Sequence, residues 1–197
     1  MTEQMPDPRP LYAGALTWVH SLLQAVRPEH LDGPTPCPDF DVRTLAGHLV
    51  GTVDRARVLG EGGDPRTSPF VTPGIADDGY AGAYGEAIEK MWSVWRAPAG
   101  DAILDRQVTV PWGTVPGRAA LYGYLNETLV HGWDLAVATG QPVEGPREIA
   151  ETALAAAPRM LPAEPRGGHV PFAPPVPPAA DAGPTERLAN WSGRSRP

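Results

Sequence analysis

Residues 119–139 carry almost no charge, and this constrains the fold more than any other feature of the sequence. The only charged or imidazole side chains in the stretch are Glu127, His131 and Asp134, spaced by four and three positions. In an α-helix these spacings place all three side chains on one face. The opposite face carries the apolar side chains at positions 121, 125, 129 and 136. The pattern therefore predicts a central, buried helix with a polar cluster on one side.

Burying Glu127 and His131 would cost several kcal/mol unless a partner compensates them. A hydrogen bond between the two side chains is one solution, and a bound cation that contacts both is another. A third candidate, His48, lies in the amphipathic segment PCPDFDVRTLAGHLVG, at the border of its apolar stripe. Two imidazoles and one carboxylate from two packed helices are the ligand set of a catalytic metal with open positions. We therefore predict that His48, Glu127 and His131 bind a divalent metal.

Asp134 lies one helical turn beyond His131, and its position leaves three roles open. It could hold a water on the metal, orient a metal ligand, or hydrogen-bond a neighbouring backbone group. We expect it to orient a ligand or to serve the structure, rather than to bind the metal directly.

Other residues with reactive or aromatic side chains have simpler interpretations. Cys37, between two prolines, is predicted to be a buried structural thiol, because no histidine is adjacent to it in sequence. His20 and His30 are expected on the surface, and His169 on a solvated loop. Four tryptophans could line a substrate pocket, but aromatic residues at helical spacing more often fill a core. They are Trp92, Trp95, Trp112 and Trp133.

Four motifs follow one another along the chain: PTPCPDFDVRTLAGHLVG, VPWGTVPG, ETLVHGWDLAVATGQP and TERLANWSGRSRP. In these motifs the chain resembles the mycothiol-dependent maleylpyruvate isomerase N-terminal domain family, within the DinB-like superfamily of metal-binding helical bundles. The resemblance implies that His48, Glu127 and His131 correspond to the family's metal ligands and that mycothiol is a cosubstrate. The isomerase has a substantial C-terminal domain where this chain has a short proline-rich tail, so maleylpyruvate isomerisation in particular is the least supported part of the resemblance.

The periodicity of apolar residues predicts an all-α fold, an up-and-down four-helix bundle, and the resemblance implies that this bundle is DinB-like. The first helix ends before Pro28, the second runs from Asp41 to a C-cap at Gly60, the third covers residues 80–95, and the fourth covers 118–139 after a short extended piece. An extra helix is expected at about 146–160, and together these segments form a metal-binding domain of residues 1–160. Residues 161–197 are predicted to be a proline-rich extended strap and a short helix at 186–191, packed on the same domain.

Composition limits the classes of function. The chain has 197 residues, of which 42% are hydrophobic, enough for one core without disulfides, and a single cysteine excludes a disulfide framework. A net charge of -7 opposes binding to nucleic acid. There is no signal-like N-terminus and no apolar segment of membrane-spanning length, so we expect a cytoplasmic protein without membrane contact.

The predicted function is Lewis-acid activation of a water or thiol by a divalent metal. By resemblance the thiol is mycothiol or a similar small molecule, which adds to an electrophilic substrate in an isomerase or S-transferase reaction. Zinc is the default ion, and nickel or iron also suits this ligand set. Two alternatives stay open: a metal-binding module without chemistry, and a helical interaction or dimerisation protein. Either a monomer or a homodimer is compatible with the sequence.

Overall fold

The computed structural model of the protein describes residues 5–110, 113–167 and 172–196. The described chain is mainly helical, which confirms the predicted fold class. In chain order the elements are α1 (Arg9–Gln24), α2 (Val42–Glu61), α3 (Tyr80–Trp95), α4 (Gly100–Asp105), β1 (Gln107–Val110), β2 (Gly113–Pro116), α5 (Gly117–Thr139), α6 (Arg147–Met160) and α7 (Pro184–Trp191). Short 3-10 turns at Pro28–His30 and Pro65–Thr67 follow α1 and α2.

Four helices form the bundle. Helix α2 packs against α3 and α5, and α1 packs against the same two helices from the other side. Helix α5 is the predicted central helix, and buried residues occur on almost every side of it. Strands β1 and β2 pair antiparallel and form the extended piece that leads into α5. The short helix α4 was missed by the sequence analysis, because six residues are too few to show a helical period.

The predicted start of α2 is confirmed by the structure, and its predicted end is wrong. The Asp41 carboxylate accepts a hydrogen bond from the Thr44 backbone at 2.7 Å, which confirms the predicted N-cap. The predicted C-cap at Gly60 is wrong, because the helix continues to Glu61 and ends on Gly62, whose φ is +88°. Gly60 is instead a packing glycine, since a Cβ there would lie 2.8 Å from the Trp95 indole nitrogen.

The C-terminal part of the chain packs on the bundle. Helix α7 contacts α5 and α6, and the Val176 backbone donates a hydrogen bond to the Asn190 carbonyl at 2.9 Å. The predicted strap anchor Val170 lies outside the described residues, whereas Phe172 and Val176 are half-buried. Within the described residues, no helix combines the length and the apolar character needed to cross a membrane.

Candidate metal centre

Three of the predicted residues meet between α2 and α5. His48 and His131 are buried, with 1% and 6% of their surfaces exposed, whereas a quarter of the Glu127 side chain is exposed. Glu127 Oε2 lies 3.5 Å from His131 Nε2 and 3.9 Å from His48 Nε2. One donor atom from each residue lies within 4.8 Å of the other two. The cluster is therefore compact and reaches solvent on the Glu127 side.

His48 is oriented by a loop that lies against α2. Its Nδ1 donates to the Phe70 carbonyl at 3.0 Å, because a carbonyl oxygen can only accept. Two glycines on α2 admit this loop: a Cβ on Gly51 would lie 2.9 Å from the Pro69 carbonyl oxygen, and a Cβ on Gly47 would also be too close to the loop. The glycine spacing on α2 thus allows the backbone of residues 69–72 to approach His48.

His131 is oriented by a buried carboxylate. Its Nδ1 lies 3.0 Å from Asp134 Oδ2, and Asp134 has no exposed surface. The Arg194 side chain donates to both Asp134 oxygens, at 3.1 and 3.2 Å. The sequence analysis did not single out Arg194, although it lies in the last of the quoted motifs. Asp134 therefore sits on the Nδ1 side of His131, away from the Nε2 atom that faces Glu127.

The donor set fits a divalent ion. Because Phe70 and Asp134 occupy the Nδ1 atoms, the neutral tautomers of both histidines leave the Nε2 lone pairs free to coordinate. Donor atoms bound to one ion at 2.0–2.2 Å in tetrahedral geometry lie about 3.3 Å apart. The observed distances of 3.5 and 3.9 Å need only small side-chain shifts to reach that spacing. Three ligands of this kind leave a coordination position for a further group.

The electrostatics of the cluster differ between its members. Burial alone would raise the pKa of Glu127, but hydrogen bonds to His131 and His48 outweigh it and hold the pKa well below the usual range. Burial opposes the charged form of His131, yet Asp134 and Glu127 raise its pKa to about 9. Burial lowers the pKa of His48, with Glu127 opposing the shift. Asp134 and Glu127 thus favour the protonated form of His131, whereas burial favours the neutral form of His48.

Cys37 approaches the same site from the turn before α2. It is buried, as predicted, but the fold brings its thiol within 4.8 Å of donor atoms of His131 and Asp134. Burial raises the pKa of the thiol, while Arg194 opposes that shift. Since Arg194 and His131 already occupy the Asp134 oxygens, this second group fits a metal less well than the first. Its proximity to His131 was not visible in the sequence.

Among the described residues, the aromatic rings that lie beside His48 belong to two phenylalanines. The Phe70 ring lies 4.4 Å and the Phe40 ring 5.1 Å from the His48 ring, between ring centres. Trp95 and Trp133 are fully buried in the bundle, which supports their interpretation as core residues. Trp112 and His169 lie outside the described residues. His20 and His30 are partly exposed, and neither belongs to a group of potential metal ligands in the described part of the chain.

Comparison with known proteins identifies the family. A sequence model of the mycothiol maleylpyruvate isomerase N-terminal domain matches residues 14–136, a range that contains all three clustered residues. The chain belongs to this family. Two uncharacterized proteins of Mycobacterium tuberculosis strains, MT0763 and Rv0738, are each 32% identical to it over 189 residues, covering 96% of this chain and 98% of theirs.

The fold of this family member is also that of a solved enzyme. The crystal structure of the mycothiol-dependent maleylpyruvate isomerase matches with a TM-score of 0.62 and 18% sequence identity, over 77% of this chain and 69% of that one. A mutant of the same isomerase gives the same values. At this identity the likeness shows a shared fold, and the chemistry of this chain must be argued from its own residues.

Proposed function

We propose that the protein is a divalent-metal enzyme that activates a low-molecular-weight thiol, mycothiol in the first instance, for addition to an electrophilic substrate. The observation that carries the proposal is the convergence of His48 Nε2, His131 Nε2 and Glu127 Oε2 on one point, with both Nδ1 atoms engaged elsewhere. A divalent ion held there would lower the pKa of a coordinated thiol to near neutrality. Family membership and the shared fold support the choice of a thiol over water.

The chain's own residues would supply orientation and access. Phe70 and Asp134 hold the two imidazoles, and the partly exposed Glu127 leaves a path by which a thiol can enter. In the reaction the S–H proton leaves to solvent, the sulfur electron pair forms a C–S bond, and the electrons of the substrate double bond move to its activating carbonyl. Elimination after rotation returns the thiol and gives an isomer, whereas protonation of the adduct gives a thioether.

Asp134 favours a catalytic site over a metal site that only joins helices. A structural site needs a fourth protein ligand. Asp134 faces Nδ1 of His131 and pairs with Arg194, so it does not close the coordination sphere. The ion is proposed to be zinc, with nickel or iron as the alternatives for the same donors.

The test is a thiol titration of cobalt-substituted protein. We expect about one divalent ion per chain in the wild type, and a thiolate-to-cobalt absorption band when mycothiol is added. His48→Ala and His131→Ala should lose the ion, while the partly exposed His20→Ala keeps it. An electrophile should be consumed faster by thiol plus protein than by thiol alone. No spectral change with thiol, in a protein that does bind cobalt, would reject the thiol-activating function.

A further inference from the structure

Arg55, on α2, is a partly buried cation with an incomplete set of partners. Its Nη2 donates to the Thr52 hydroxyl at 2.9 Å, and its guanidinium lies 5.0 Å from the centre of the Phe70 ring. Among the described residues, no acceptor contacts its Nε or Nη1. Three or more donor hydrogens of this side chain are therefore available to a ligand.

The other partly buried arginines have stronger acceptors than a hydroxyl within the protein. Each pairs with a carboxylate or donates to backbone carbonyls, whereas Arg55 has only a hydroxyl and a ring face in the described part of the chain. A partly desolvated guanidinium without a directly paired carboxylate is costly, because it loses hydration without an ion pair to compensate the loss. These arginines are Arg9, Arg43, Arg57, Arg118, Arg166 and Arg194, of which Arg166 donates to two carbonyls but keeps Nε and Nη1 buried without a partner.

Arg55 lies beside the candidate metal centre. His48, Thr52 and Arg55 are spaced by four and three positions on α2 and so share one face of the helix. The Thr52 hydroxyl oxygen is 2.9 Å from Arg55 Nη2 and 3.4 Å from His48 Nε2. Arg55 Nη2 and His48 Nε2 therefore cannot be farther apart than the sum of these two distances. A small molecule can span that separation.

A carboxylate is the anion that best suits this position. The planar guanidinium offers parallel N–H donors that match the two oxygens of a carboxylate. Glu127 and Asp54 are the nearby acids whose charge acts on Arg55, so the local field does not suit a doubly charged phosphate. Burial lowers the pKa of Arg55, and the neighbouring Glu127 and Asp54 oppose that shift only in part. The Phe70 and Phe40 rings beside His48 provide an apolar wall for the rest of the molecule.

We propose that Arg55 forms a carboxylate-binding subsite next to the metal centre, and that the electrophilic substrate carries a carboxylate within a few bonds of its reacting carbon. This proposal rests on the proposed thiol addition for the identity of the ligand, but not for the existence of the subsite. Arg55 is a specificity-determining residue in this view, because it selects the acid over neutral analogues of the same shape.

The test compares binding of crotonate and crotonamide to metal-loaded and metal-free protein, followed by the NMR signal of the Arg55 Nε–H group. We expect crotonate to bind about tenfold more tightly than crotonamide, since hydrogen bonds to a charged group are the stronger ones. Arg55→Gln should abolish this preference, and Arg55→Lys should retain part of it. Arg57→Gln is the matched control, because Arg57 is on the same helix but pairs with Asp54 and Glu61. Metal content and melting temperature confirm that each variant is folded.

The outcomes separate the two proposals and the sources of the carboxylate. Equal binding of acid and amide overturns the subsite, and so does a preference that persists in Arg55→Gln, because the metal would then hold the carboxylate. The same variants are titrated with N-acetylcysteine and its amide. If Arg55 affects the preference for acid over amide only with N-acetylcysteine, and not with crotonate, the carboxylate that Arg55 binds belongs to the thiol. That result would overturn the proposal that it belongs to the electrophile. Binding of crotonate does not require a thiol reaction, so failure of the proposed function leaves this result interpretable.

Discussion

The two histidines of the candidate site are supported in different ways. His131 is held by Asp134, which is fully buried and paired with Arg194 from the C-terminal segment. His48 is held by the backbone carbonyl of Phe70, in a loop that contacts α2 through two glycines. The first support is ionic and raises the pKa of its histidine, and the second is neutral and does not offset burial. The site therefore combines one basic, charge-supported ligand with one weakly basic ligand that depends on loop packing.

The largest expected effect is on stability, from removal of the cation behind His131. Arg194→Gln leaves Asp134 buried with only His131 as a partner, and we expect the free energy of unfolding to fall by about 3–5 kcal/mol. Urea denaturation of the metal-free protein measures it. Arg147→Gln is the control, because its pair with Glu151 is exposed and should contribute less than about 1 kcal/mol. Equal losses in the two variants would show that the Asp134 pair is no more important than a surface pair.

Metal affinity should be the next most sensitive property. Asp134→Asn removes the carboxylate that orients His131, and we expect a loss of about 10–100-fold in metal affinity, measured by competition with a chelator. Asp101→Asn, an exposed acid that pairs with Arg9, should leave the affinity unchanged. Full affinity in Asp134→Asn would mean that the helix alone positions His131.

The pH dependence distinguishes the two ligands. Because the pKa of His131 is raised to about 9 and that of His48 is lowered, metal binding at pH 7 should release about one proton from the two histidines. Affinity should then rise by roughly tenfold per pH unit between pH 7 and 9. The stability of the metal-free fold should change with pH in the opposite direction to metal affinity. The raised pKa of His131 contributes stability that is fully present below pH 6.5 and is lost as the pH rises through about 9. Affinity that is flat from pH 7 to 9 would contradict the ionic support of His131.

The smallest effect on metal affinity is expected from a change that moves the loop behind His48. Gly51→Ala places a Cβ 2.9 Å from the Pro69 carbonyl oxygen, so the loop must move and the Phe70 carbonyl shifts from His48. We expect metal affinity to fall by less than about tenfold, because only a neutral hydrogen bond is weakened. Gly82→Ala in α3 meets nothing within 4 Å and should stabilise the fold by about 1 kcal/mol without changing affinity. A larger loss of metal affinity in Gly51→Ala than in Asp134→Asn would show that the loop behind His48 matters more than the carboxylate behind His131.

The same contrast explains what the sequence could predict. The α5 residues were predictable, because helical spacing alone places Glu127, His131 and Asp134 on one face. The fold class followed from the periodicity of the apolar residues. The Phe70 contact could not be predicted, because it is made by a backbone carbonyl, which no side-chain pattern reveals. Arg194 and Cys37 reach the site only through tertiary packing. Arginine and cysteine are also common at positions that have no part in a metal site, so the residue types alone did not point to them.

The separation of Arg194 from Asp134 has a consequence for the order of folding. Asp134 and Arg194 are 60 positions apart in the sequence, whereas His131 and Asp134 are three positions apart on one helix. Contacts between distant residues require closure of a long loop and tend to form after local ones. The histidine and its carboxylate should therefore come together with α5, and the arginine should join them only when α7 docks. An early folding intermediate would have all three candidate ligands but a loosely oriented His131, so docking of α7 would be the step that fixes the orientation of this histidine.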